Sequence, residues 1–170
     1  YFLAVVEKMY PDKPFTVIAH SFGSAVATFS LTDSRFEVDK LILLTNPNKF
    51  IEALQVYQSF VKLSDKAFDT TLELVEKLIG QPATDLNIED MSKKINYDNL
   101  LLIHDESDKV LSYQNSIAVK DKWKNSELVT LENIGHYKML WNEHVINSIM
   151  RFMDSPKGNE FGNSNSKIAS

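Results

Sequence analysis

Ser21, Asp108 and His136 are the residues of this 170-residue chain whose types suit them for chemistry together. A serine hydroxyl is a weak nucleophile until a neighbouring base takes its proton. Histidine suits that base role near neutral pH, and a carboxylate on its other ring nitrogen fixes the tautomer and stabilises the imidazolium. Each of the three follows an apolar stretch: FTVIAH runs into Ser21, NLLLIH into Asp105 and Asp108, and ELVTL into the loop NIGH that ends in His136. The competing reading of Ser21 is an inert helix cap, a role serine often fills.

The elements around these residues must bring them together. Phe15–His20, Val38–Thr45, Asn99–His104 and Glu127–Leu131 are short, apolar and β-branched, the pattern of buried strands. Helical patterns lie between them: Phe22–Leu31, then Asn48–Ser64, then a helix capped by Asp65 and ended by Gly80 and Pro82, a short one within 84–95, Tyr113–Trp123 and finally Asn142–Met153. Strands alternating with helices imply parallel βαβ units, and ligands bind beyond the carboxyl ends of such strands. The expected fold is therefore α/β: a parallel sheet of about four strands with flanking helices. The order Ser, Asp, His is that of the α/β-hydrolase triad. On a sharp strand-to-helix turn, the backbone N–H of Phe22 would face a developing oxyanion. Ala19 replaces the first glycine of G-x-S-x-G, at the cost of one methyl. Gly23, Ser24, Ala25 and Ala27 are small, where the helix must pack closely on its strand.

The segments IAHSFG, LLLIHDESDKV and NIGHYKML resemble a group of bacterial hydrolases with AHSFG, H-D-x-x-D and G-H-x-x-x-L motifs. The resemblance covers residues 1–153 and is to the C-terminal half of an α/β-hydrolase-fold protein. It implies Ser21 as nucleophile, Asp108 as acid and His136 as base, with the Phe22 N–H in the oxyanion site. Asp105 stands where many relatives have glycine and is the weaker rival for the acid. Residues 48–96, longer than one crossover helix requires, are implied to form a helical cap. Within it Phe50, Tyr57, Phe60, Phe68 and Leu72 either line an acyl pocket or bury one another, and burial is the simpler reading. The implied function is cleavage of an ester, thioester or similar acyl bond in a small-molecule substrate, without a cofactor. A remnant or binding module that keeps the triad residues without a working site is the alternative.

Composition narrows the field further. The chain is 44% hydrophobic with a net charge of −5 and no basic patch, which argues against nucleic acid as a partner. It contains no cysteine, so disulfides, thiolate metal sites and a cysteine nucleophile are excluded. No apolar run approaches the roughly 18 residues of a membrane span. The expectation is a cytoplasmic, soluble domain over 1–153 followed by a polar tail over 154–170. His104, Asp105, Glu106 and Asp108 suit a loop presenting one carboxylate, and no metal site is expected. His20 reads as a support for the turn at Ser21, His104 as a buried structural histidine and His144 as a surface residue.

The first residues, YFLAVVEKMY, enter partway through a helical pattern that Pro11 and Pro14 end. A complete fold of the resembled kind has strands before the nucleophile strand, and these carry the second oxyanion donor. We expect a fragment of a longer chain, whose first strand leaves an open sheet edge that favours self-association.

Overall fold

The computed structural model describes residues 2–10, 13–32, 35–156 and, for the backbone, 165–168. Five parallel strands lie in sequence order: β1 (Phe15–His20), β2 (Glu37–Leu44), β3 (Asn96–Asp105), β4 (Ser126–Leu131) and β5 (Asn165–Ile168). The helices are α1 (Phe2–Met9), α2 (Phe22–Ser30), α3 (Phe50–Val61), α4 (Asp65–Ile79), α5 (Gln114–Lys122) and α6 (Glu143–Asp154). The four expected strands are present, and so are the expected helices apart from the short one within 84–95. The tail differs, because Asn165–Ile168 adds an edge strand beside β4 where no element was expected. Pro11 and most of the tail lie outside the described residues.

The central strands carry continuous apolar runs, Leu41–Leu44 and Leu100–Ile103, because both faces of the sheet are covered there. Alternate residues feed two cores. Leu41, Leu43, Leu100, Leu102 and Leu128 pack with residues of α1, α2, α3 and α5. Ile42, Leu44, Leu101, Ile103, Val129 and Leu131 pack with Met139 and with Val145 and Phe152 of α6. Lys40 reaches across the second layer, where its Nζ donates to the Met153 carbonyl and to Ser155 O at 2.8 Å.

Between β2 and β3 the chain forms α3, α4 and two 3₁₀ turns, Ala83–Asp85 and Ile88–Lys93, in place of the short helix expected within 84–95. Ser64, not Asp65, caps α4, accepting from Ala67 N at 3.3 Å, and Gly80 closes the helix in the left-handed conformation at φ 81°. The α4 side chains are at most partly buried: Phe68, Leu72, Val75 and Ile79 touch the core, while Leu74 and Leu78 are exposed. Trp123 anchors the second 3₁₀ turn through Nε1–H to Ile88 O at 3.0 Å. Among the described residues no helix is long and apolar enough to cross a membrane, and β1 pairs with β2 alone.

Leu102 sits at the centre of β3 with no exposed surface. Leu102→Ala is expected to cost about 2–5 kcal/mol, the range for a buried leucine whose cavity relaxes only in part. A urea unfolding midpoint unchanged from the parent would show that β3 is not the core strand described here.

Candidate active site

Parallel register sets the site. His20 pairs with Leu44, Leu44 with Ile103, and Asp105 with Leu131, so the carboxyl ends of β1 to β4 finish at one level. The ladder continues one step beyond the strands, with Ser21 N–H donating to Leu44 O at 3.0 Å and Glu106 N–H to Leu131 O at 2.9 Å. Ser21, the loop after β3 and the loop after β4 therefore emerge side by side.

Ser21 occupies the turn between β1 and α2 with φ 53° and ψ −125°, a conformation uncommon for a residue with a side chain. Its hydroxyl makes no cap hydrogen bond to the helix. The hydroxyl instead meets His136: Nε2 and Ser21 Oγ are 2.8 Å apart. His136 Nδ1 lies 2.8 Å from Asp108 Oδ2. The three residues singled out in the sequence thus form one hydrogen-bonded row. His136 is 5% exposed, whereas Ser21 is half-buried and reachable from solvent.

The two carboxylates of the β3 loop have separate partners. Asp108 Oδ1 accepts from Val110 N at 2.7 Å and Leu111 N at 3.1 Å, which leaves Oδ2 for the histidine. Asp105 faces the other way. Its Oδ1 accepts from Ser107 N and Ser107 Oγ, both at 2.7 Å, and its Oδ2 accepts from Gly135 N at 2.6 Å and from Ile134 N. Asp105 therefore ties the β3 loop to the loop that carries His136, a role the sequence analysis did not assign to it. Gly135 passes this point at φ 75°. Burial pushes the Asp108 carboxyl up, but hydrogen bonds from His104, His136 and the two backbone N–H groups outweigh it and hold the group well below the usual carboxylate range. Burial likewise opposes, and the Gly135, Ser107 and Ile134 donors win, at Asp105.

His20 supports the same loop. Its Nε2 lies 3.0 Å from the His136 carbonyl, and burial pushes the His20 ring below its ordinary value. His104 is fully buried at the end of β3. His144 is exposed at the start of α6. Gly23 shows no close approach: a Cβ there would meet nothing within 4 Å, and the tight helix–sheet packing falls on Ser24, Ala25, Ala27 and Thr28 instead.

A cleft of about 560 Å³ opens between α3 and the loop after β3. Val56, Phe60, Val110, Leu111 and Tyr137 give it an apolar wall, and Glu52 bonds Asn115 Nδ2 at 3.1 Å on the polar side. Of the five candidate pocket residues in the insertion, only Phe60 lines this cleft. Phe50 is in the core, Phe68 and Leu72 pack against it, and the Tyr57 ring stacks on Phe22 with centroids 5.7 Å apart. The Tyr137 ring meets His136 edge-on at 5.1 Å and also borders a second hollow beside His136. Glu52 carried no sequence signal, since it lies neither at a strand end nor in the apolar pattern of the insertion, and Tyr137, although next to His136, was given no role by its residue type.

The parallel sheet, the turn at Ser21 and the helices on both faces define a partial α/β-hydrolase fold. Solved structures share it at low identity. The chain superposes on the esterase domain of a Rhodothermus marinus protein with a TM-score of 0.57 and 16% identity, over 88% of this chain and 62% of that one. Est816, an N-acyl homoserine lactone degrading enzyme, gives 0.61 and 17% over 89% and 71%. MGS-M2, an α/β-hydrolase enzyme from a Medee basin deep-sea metagenome library, gives 0.62 and 13% over 92% and 70%. The chain thus spans about two thirds of the length of these structures, and less than that of the esterase domain. No protein-family model and no curated protein matches the sequence.

The depressed groups give stability a defined acid dependence. An unfolded histidine takes up its proton near 6.5, whereas folded His20 resists it, so this contribution is present above 6.5 and is lost as pH falls below it. Asp105 and Asp108 contribute fully above their ordinary 3.8, and that contribution is lost as pH falls further. The urea midpoint is expected to fall in two stages on acidification, and His20→Gln should remove the first. A midpoint flat from pH 7 to 5 in the parent chain contradicts this assignment.

Proposed function

We propose that the chain is a serine hydrolase, or the part of one that carries the reacting residues, cleaving an ester, thioester or similar acyl bond through an acyl-enzyme. The observation that carries this reading is the Asp108–His136–Ser21 row, with a 2.8 Å contact on each side of the imidazole and the serine raised on a positive-φ turn.

Asp108 accepts from Nδ1–H, which leaves the Nε2 lone pair facing the Ser21 hydroxyl. Nε2 takes the hydroxyl proton as Oγ attacks the acyl carbon. The carbonyl π electrons move onto oxygen, where the Phe22 N–H donates. That group lies in the first turn of α2, which offers it no intrahelical carbonyl. When the tetrahedral intermediate collapses, the imidazolium returns its proton to the leaving alcohol or thiol and the Ser21 ester remains. Water, deprotonated by the same nitrogen, repeats the sequence and releases the acid. The apolar wall of Val56, Phe60, Leu111 and Tyr137 suits an acyl chain beside His136. The names of the structural neighbours agree with acyl-bond chemistry: one is an esterase domain, and the lactone degraded by another contains a cyclic ester.

A fluorophosphonate probe should label the native chain, and Ser21→Ala should abolish labelling. Absence of labelling would favour the binding-module alternative. With a p-nitrophenyl ester, Asp108→Asn is expected to lower turnover by about 10⁴-fold, since the imidazole tautomer is no longer held. Asp105→Asn should cost far less in turnover at the temperature where it remains folded, and more in stability. The opposite ranking of the two variants would reassign the carboxylates.

A further inference from the structure

Two adjoining spaces meet the Ser21–His136–Asp108 row. The cleft beside α3 is lined by Tyr137 but not by His136. The second hollow, of about 460 Å³, lies between the loops after β3 and β4, and His136 itself forms part of its wall. Val110 and Tyr137 stand in both walls. Collapse of a tetrahedral intermediate needs the leaving atom beside the imidazolium that returns its proton. The hollow walled by His136 meets that requirement, and the cleft is left for the acyl chain. The volume of the hollow is that of a small-molecule site.

The charges of the two spaces differ. Lys109 lines both, but the cleft also holds Glu52, whereas the wall of the hollow contains no aspartate or glutamate. Asp105 and Asp108 are turned to backbone donors and to His136. Glu106 and Glu132, the other carboxylates of the two loops, lie outside the wall. Lys109 is exposed, and among the described residues its ammonium has no hydrogen-bonded or ion-paired partner. The chain as a whole carries −5, so attraction of an anion to this spot has to be local.

We propose that the hollow is the leaving-group subsite and that Lys109 makes it select an alcohol or thiol bearing an anionic group, a carboxylate or a phosphate. The inference rests on the hydrolase reading above and narrows it to acyl derivatives of negatively charged alcohols or thiols. Lys109 acts here in specificity and touches no bond that breaks.

The test uses the 170-residue chain and acetate esters that share one acyl group. p-Acetoxybenzoate carries an anion on its leaving group, its methyl ester carries none, and p-acetoxyphenyl phosphate ranks phosphate against carboxylate. Lys109→Met should lower the ratio of kcat/KM for the anionic esters over the methyl ester by about fivefold, the upper end for an exposed charge pair. The change should sit in KM, be restored by Lys109→Arg and vanish in about 1 M salt. The p-nitrophenyl half-ester of succinic acid, whose anion is on the acyl side, should show no such dependence. An unchanged ratio, or a dependence confined to the succinate, overturns the proposal. Binding is read separately on ¹⁵N-labelled chain. p-Hydroxybenzoate should shift the amide signals of Ser107 and Gly135, its methyl ester should not, and Lys109→Met should abolish the shifts. Equal shifts with both ligands, or none at these two residues, likewise overturn the subsite. Lys109-dependent shifts in a chain that hydrolyses no ester and that no fluorophosphonate labels would uphold the anion site and sink the hydrolase reading instead.

Discussion

The candidate site depends on one carboxylate that lies outside the Ser21–His136–Asp108 row. Asp105 ends β3 inside the protein and gathers the donors of two loops, Ser107 from its own and Ile134 and Gly135 from the next. Charge-assisted hydrogen bonds of this kind are about twice as strong as neutral ones. They fix the path of the backbone just before His136, and the imidazole inherits that path. His20 repeats the constraint from the other side through the His136 carbonyl. The imidazole is thus aimed by its backbone from two directions before its own ring makes any bond.

The sheet supplies the second constraint. Parallel strands in sequence order place successive carboxyl ends side by side, so residues far apart in the chain become neighbours without any long excursion. The ladder bonds of Ser21 and Glu106 past the last strand residues carry that rigidity into the turns themselves. A positive-φ serine is costly unless its surroundings over-determine it. Here the ladder holds one side of the turn and the tightly packed first turns of α2 hold the other.

Much of the fold was legible because strand ends and helices have local causes. The apolar runs of β1 to β4 and the amphipathic α3, α4 and α6 appear within a residue or a few of their expected limits. The order of Ser21, Asp108 and His136 also pointed to a shared site, and the structure brings those three together. What the sequence could not show were choices made by tertiary neighbours. Asp105 was read only as the weaker rival of Asp108, and its own task appears only once the Ile134–Gly135 backbone is brought against it. Ser64 and Asp65 are both good cap residues, and one residue of helix phase decides between them. Gly23 was read as a close-packing position, yet that packing falls on its neighbours. The segment at 165–168 is polar, and its pairing with β4 has no signal in an apolar pattern.

The stacked rings of Phe22 and Tyr57 make the insertion less modular than its place in the chain suggests. Segments that lie across an active site invite exchange between relatives, as a way of changing what a scaffold accepts. In this chain the insertion supplies one ring of a pair whose other ring belongs to the residue after Ser21. A transplanted insertion would arrive without its half of that contact, and the backbone at the turn would lose a lateral support. Divergence of the insertion and of the turn is therefore coupled: a change at position 57 alters the background against which position 22 is tolerated.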